Sequence, residues 1–166
     1  MKNPSRLIPV TVMLTLFSVV IGIQSCTEKP KEQEIPVSEF NLETAKAEII
    51  EANKNFMAVV AAGDAEGLAN LYTTDAKLMS GGAPSAVGRA NIQAAIADMF
   101  QAGITGVDLR LENVYGTEDL IAEEGQLTLF AGDQAVGEEK YIVLWKKEDG
   151  KWKLFRDIFN SNLPAE

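Results

Sequence analysis

The sequence predicts an α+β domain, with three helices packed on one face of an antiparallel sheet. Three observations predict it. Apolar residues recur at steps of three and four between positions 42 and 102, the period of helices with one buried face. After Gly103 the period falls to two, as half-buried strands require. Near the end, Glu148-Asp149-Gly150-Lys151 separates two apolar-rich runs. Asp-Gly supplies the positive-φ position of a hairpin turn. Helices first and strands afterwards is the α+β order.

The elements follow in sequence. Leu42, Ala45, Ile49, Ala52, Phe56 and Val59 mark one face of a first helix, with Asn41 as N-cap and Gly63 as the stop. Asp64 caps a second, short helix carrying Leu68, Leu71 and Tyr72. A brief strand covers about 76–80, and Gly81-Gly82-Ala83-Pro84 is a loop. A third helix runs from about Arg89 to Ala102, with Ile92, Ile96, Met99 and Phe100 on one side. Val107, Leu109 and Leu111 alternate with Asp108, Arg110 and Glu112 in the next strand. Leu127 and Leu129 lie in a run ending near Gly132. Tyr141–Trp145 and Trp152–Phe159 complete a four-strand meander.

The last two strands are apolar on both faces. Tyr141, Val143 and Trp145 point one way, Ile142 and Leu144 the other. On the final strand Trp152, Leu154 and Ile158 oppose Phe155 and Phe159. One face packs on the helices. The other needs a cover, and a second copy of the chain is the expected one, giving a homodimer.

The N-terminus has a different character. Lys2 and Arg6 precede an apolar run from Leu7 to Ile23, which ends in Ile23-Gln24-Ser25-Cys26. A basic start, an apolar core and a small residue before a cut site make a signal peptide over residues 1–25. Cys26 is the only cysteine in the sequence. A signal ending on cysteine resembles that of bacterial lipoproteins. The resemblance implies diacylglycerol on the Cys26 thiol, cleavage before it and acylation of the new N-terminus. The protein is then expected in the bacterial cell envelope, lipid-anchored and extracytoplasmic. Residues 26–39 carry charges and two prolines without apolar periodicity, and read as a flexible tether. The domain itself spans about 40–164.

Composition narrows the function. The 166 residues hold 15 Lys+Arg, 24 Asp+Glu and no histidine. Residues 1–25 contain Lys2 and Arg6 and no carboxylate, so their removal leaves 13 basic against 24 acidic residues, a charge of −11. Such a chain lacks the basic patch that nucleic acid requires, so nucleic acid is not an expected partner. Without histidine there is no Ser-His-Asp triad and no His-ligated metal, and acid–base chemistry falls to Asp, Glu, Tyr or Lys. No metal site and no cofactor are expected.

Several stretches together resemble the nuclear transport factor 2-like superfamily, and more narrowly its SnoaL-like and ketosteroid-isomerase-like members. They are Ala62-Gly63-Asp64, Leu68-Ala69-Asn70-Leu71-Tyr72-Thr73-Thr74-Asp75-Ala76, Gly88-Arg89-Ala90-Asn91-Ile92, and the ending from Asp149 to Asn160. The resemblance covers about 43–162. It implies a cone-shaped roll with a pocket between the helices and a curved sheet, often in a dimer. In ketosteroid isomerases a carboxylate base follows the first strand, where this chain has Ser80. Those enzymes also carry an oxyanion-donating tyrosine on the first helix, where this chain has Phe56. A hydroxyl does not take a proton at neutral pH and a phenyl ring donates no hydrogen bond. The steroid-isomerase pattern is therefore incomplete.

Asp157 is the leading site residue. Strand alternation sets it beside Phe155 and Phe159 and away from Arg156, an apolar setting that raises a carboxyl pKa. The bland reading is a structural carboxylate paired across strands. Tyr72 and Asn160 are expected to offer hydrogen bonds to a ligand, and Met79 and Phe56 to line its pocket, with ordinary core packing as the alternative for each. Arg89 opens the third helix and is either solvated or a contact for an acidic ligand. Glu123-Glu124 is no dyad, because neighbouring strand residues face opposite sides. Three functions stay open: binding of a small, partly apolar molecule, a histidine-free isomerase, dehydratase or hydrolase with Asp157 as base, or an envelope interaction module.

Overall fold

A computed structural model describes residues 39–163, and the signal peptide, Cys26 and most of the tether lie outside them. Ser38–Glu166 forms a compact unit with its own core. The elements are α1 (Leu42–Ala61), α2 (Ala65–Ala69), β1 (Tyr72–Ser80), β2 (Ala86–Val87), α3 (Arg89–Gln101), β3 (Gly106–Gly116), β4 (Ile121–Ala131), β5 (Gln134–Glu148) and β6 (Lys151–Ser161).

The predicted caps form. Asn41 Oδ1 accepts from the Thr44 N–H at 3.0 Å, and Asp64 Oδ1 from the Gly67 N–H at 2.8 Å. Gly63 follows α1 at φ 67°, a value that suits glycine. Asp149 and Gly150 both take positive φ, 54° and 74°, as a tight two-residue hairpin demands.

One sheet of six strands runs in the order β2-β1-β6-β5-β4-β3. All neighbours are antiparallel except β1 and β6, which are parallel. The first strand is longer than predicted and begins at Tyr72, which the sequence pattern assigns to α2. Its backbone pairs with Leu154 of β6, a partner 82 positions away. Such a pairing overrides local helical periodicity.

The register shifts between Tyr72 and Lys77 where β1 meets β6, and three further shifts, bulges at Glu112, Val136 and Phe155, curve the sheet. Each bulge leaves one residue without a partner and bends its strand. The helices lie over the concave face. Ile49, Ile92, Ile96, Tyr72, Ile121 and Trp145 form the centre of the core between them. The result is the expected α+β cone, open rather than closed into a barrel.

The bulge at Phe155 corrects the predicted alternation. Leu144 pairs with Arg156 and Trp145 with Leu154, so Phe155 is skipped. Leu154 and Asp157 therefore both face inward. The Phe155 ring meets instead the Arg156 guanidinium at 3.6 Å and Lys146 at 5.3 Å from its centroid. Ile158, grouped above with Trp152 and Leu154, turns outward and is 46% exposed. The ambiguity on β5 resolves in one direction. Tyr141, Val143 and Trp145 are buried, while Ile142 is 47% exposed on the convex face.

Candidate functional site

A cavity of about 80 Å³ lies between the concave face and helices α1 and α3. Most of its wall is apolar: Phe56 and Val60 from α1, Ile96 and Met99 from α3, Leu109 and Leu127 from the sheet. Four lining residues carry polar groups: Asn53, Tyr72, Tyr141 and Asp157.

Strand register places the acidic groups. Glu123 pairs with Val143 and Val143 with Asp157, so the two carboxyls occupy one row of the concave face, two strand spacings apart. That is roughly 9.5 Å. Glu123 is fully buried and accepts three hydrogen bonds. Asn53 Nδ2 donates to Oε1 at 2.6 Å, Tyr141 to Oε1 at 2.7 Å and Trp145 Nε1 to Oε2 at 2.7 Å. Burial pushes its pKa up, against the three donors that pull it down. Glu123 does not line the cavity, although its partners Asn53 and Tyr141 do.

Asp157 is also buried but has one donor. The Tyr72 hydroxyl donates to Oδ2 at 2.6 Å. Among the described residues nothing donates to Oδ1. Burial pushes the Asp157 pKa up to about 6, opposed by the Tyr72 bond and assisted by the negative charge of Glu123. Burial and the neighbouring carboxylates also hold the Tyr72 and Tyr141 hydroxyls protonated, with pKa values above the ordinary tyrosine range. No lysine or arginine lines the cavity.

Gly125 makes the Tyr141 bond possible. A Cβ there would lie 2.6 Å from the Tyr141 hydroxyl and 2.4 Å from the Arg110 carbonyl. The ring crosses β4 over the missing side chain and so reaches Glu123. A third carboxyl, Glu139, pairs with Leu127 on the same face. Its Oε2 is buried without a partner among the described residues, and burial raises its pKa.

The structure brings together Asp157, Tyr72 and Phe56 of the predicted site residues. It does not bring in Asn160 or Met79. Asn160 is exposed, with its amide near the Ser161 carbonyl. Met79 pairs with Ile158 on the convex face. Met99 lines the cavity in its stead. Ser80 pairs with Phe159 and does not line the cavity. Arg89 pairs with Glu148 and donates from Nε to the Tyr72 carbonyl at 2.8 Å. That Glu148 carboxylate is held down at about 2, chiefly by the Thr74 N–H, with Lys153 and Arg89 assisting. The cluster anchors α3 and the β5–β6 hairpin to the start of β1, away from the cavity.

Sequence reading missed Asn53 and Glu123. Asn53 sits within the apolar stripe of α1, between Ile49 and Val60, and a buried amide there signals a polar partner. Glu123 and Glu124 do face opposite ways, as alternation requires: Glu124 meets Asn113 and Tyr115 on the outside. Among the described residues no group of three or more Asp or Glu side chains is arranged to hold a metal ion.

A helix-covered, curved sheet with a cavity at its concave face defines the class: a cone-shaped domain of the nuclear transport factor 2-like kind. Residues 54–155 match the model of the SnoaL-like domain, and the chain belongs to that family. Solved structures agree on the fold. One is a nuclear transport factor 2-like protein with a cystatin-like fold from Novosphingobium aromaticivorans. It is 20% identical, at TM-score 0.62, over 75% of this chain and 86% of that one. A protein of unknown function from Nostoc punctiforme is 21% identical, at TM-score 0.64, over 76% and 98%. A ketosteroid isomerase-like protein from Erwinia carotovora atroseptica is 21% identical, at TM-score 0.62, over 75% and 100%. No curated protein matches the chain.

Proposed function

We propose that the protein is a lipid-anchored, extracytoplasmic domain that binds a small, mostly apolar molecule. One observation carries the reading: an apolar cavity whose wall is interrupted by a carboxyl oxygen that no protein group occupies. Ligand sites combine an apolar lining with a few convergent polar groups in this way. Native mass spectrometry of the protein from its own host should find a co-purified small molecule. Leu127→Trp, which fills the cavity, should abolish that mass difference. A mass equal to the bare chain in both would remove the reading.

The anchor rests on the Lys2–Cys26 signal. Cys26→Ser is expected to lose radiolabelled palmitate, and equal label in both proteins speaks against the anchor. Dimer formation through the convex face is proposed from the row Ile142–Ile158–Met79, contiguous across β5, β6 and β1. Residues 38–166 should sediment as a dimer at micromolar concentration and Ile142→Asp as a monomer. A wild-type monomer throughout that range ends the dimer proposal.

A second reading is enzymatic. A buried carboxyl with pKa about 6 and an unoccupied oxygen has the properties of a general base. Asp157→Asn would then abolish turnover without unfolding the chain. With Ser80 and Phe56 replacing the base and the oxyanion donor, isomerisation of a β,γ-unsaturated ketosteroid is expected to be undetectable. Robust turnover, especially if lost with Ser80→Ala, would show that the wrong residue has been dismissed.

A further inference from the structure

Among the side-chain donors that line the cavity, both tyrosine hydroxyls and one Asn53 N–H are committed to carboxyls, which leaves the second Asn53 N–H as the one donor beside the acceptors. Tyr72 donates to Asp157, while Tyr141, Trp145 and one N–H of Asn53 donate to Glu123. No cationic side chain lines the wall. The carboxyl on the wall is Asp157, whose Oδ1 takes no donor among the described residues; Glu123 lies on the same row two strands away and Glu139 on the same face, both outside the lining. An acceptor presented in an apolar enclosure rewards a ligand that brings a hydrogen. It penalises one that brings only lone pairs, and most of all an anion, because a buried like charge has no compensation there.

From this arrangement we infer that the cavity selects a neutral molecule with one hydrogen-bond-donating hydroxyl, seated on Asp157 Oδ1, over its ketone and carboxylate analogues. The inference rests on the binding reading above and specifies its ligand. Size follows from volume. At roughly 10–15 Å³ for each water-sized centre, about 80 Å³ accommodates about five to eight non-hydrogen atoms. A single-ring alcohol is of that size. A protonated amine also donates, but its charge would have to leave water for an apolar wall, and buried ion pairs often gain nothing by that exchange.

The test compares four single-ring probes of equal non-hydrogen atom count on residues 38–166 at pH 8, by isothermal titration calorimetry. They are cyclohexanol, cyclohexanone, methylcyclohexane and cyclobutanecarboxylate. A hydrogen bond to a charged group predicts that cyclohexanol binds about 10-fold or more tightly than methylcyclohexane. Cyclohexanone should bind more weakly than cyclohexanol, and the carboxylate should show no measurable binding. Asp157→Asn supplies the second arm. Its amide oxygen takes the Tyr72 proton and leaves the NH₂ toward the cavity, so the order of alcohol and ketone should invert. If the ring compounds bind without preference, or the carboxylate binds as well as the alcohol, the inference fails and the binding reading stands. An order unchanged in Asp157→Asn also overturns it. Failure of all four to bind removes the binding reading and the inference together.

Discussion

Two buried carboxyls on one row of the sheet have opposite surroundings. Glu123 is enclosed by three donors from α1 and β5. Asp157, two strands away, has a single donor and borders the cavity. A buried carboxyl whose lone pairs are taken is scaffold: it fixes how α1, β4 and β5 meet, and removing it strands its partners. A buried carboxyl with an unoccupied oxygen keeps a binding capacity at some cost in stability. The difference makes the first a scaffold group and, on the function proposed above, leaves the second for a ligand, though sequence treats both as acidic residues in apolar strands.

The largest test of this contrast is Glu123→Ala. It leaves Tyr141, Trp145 and Asn53 without their acceptor, and buried unpaired groups cost about 1–3 kcal/mol each. After local relaxation a loss of about 4 kcal/mol in urea unfolding is expected. Asp157→Ala strands only the Tyr72 hydroxyl and should cost markedly less. Equal losses would erase the distinction.

Next in size is the pH dependence. The ordinary Asp157 pKa is 3.8 and the folded value about 6. Over that window the native state holds a proton that the unfolded chain has released. Unfolding therefore liberates protons, and stability falls as pH rises from about 4 to about 6, then levels. The Glu123 shift has the same sign and adds to the slope. Asp157→Asn isolates the Asp157 share. From pH 4 to pH 7 the variant should gain on wild type by about 2 kcal/mol, at 1.36 kcal/mol per pKa unit. A pH-independent difference between the two would contradict the burial of an ionised Asp157.

Gly125→Ala sharpens the scaffold side. Its methyl meets the Tyr141 hydroxyl and the Arg110 carbonyl at contact distances no Cβ normally tolerates. Displacing the ring should cost about 1–3 kcal/mol and leave Glu123 short of a donor. Thermal unfolding of Gly125→Ala alongside Tyr141→Phe checks this, since the alanine should be at least as damaging. A Gly125→Ala protein as stable as wild type would mean that Tyr141 does not need the gap.

The smallest expected effect is that of Tyr72→Phe, about 1 kcal/mol. Its informative readout is titration. Losing the donor that lowers the Asp157 pKa should move its midpoint above about 6 in a ¹³C carboxyl titration. An unmoved midpoint would deny that Tyr72 holds the charged form.

Sequence alone determined what depends on neighbouring residues. The caps at Asn41 and Asp64 use groups three positions apart, and the Asp149-Gly150 turn uses adjacent residues. The change of period at Gly103 separates helices from strands, and the family motifs supply the cone. Asp157, Tyr72 and Phe56 were legible as pocket residues because their elements were assigned or nearly so. The site's wiring was not. Tyr72 meets Asp157 across 85 positions and Asn53 meets Glu123 across 70. Such pairs exist only after four strands take their register. Counting alternate residues also fails at a bulge. One skipped residue at Phe155 sends that ring outward while Leu154 and Asp157 both turn in. Parity is local, but the bulge that breaks it is imposed by the neighbouring strand, so only the tertiary structure decided which side chains share the cavity.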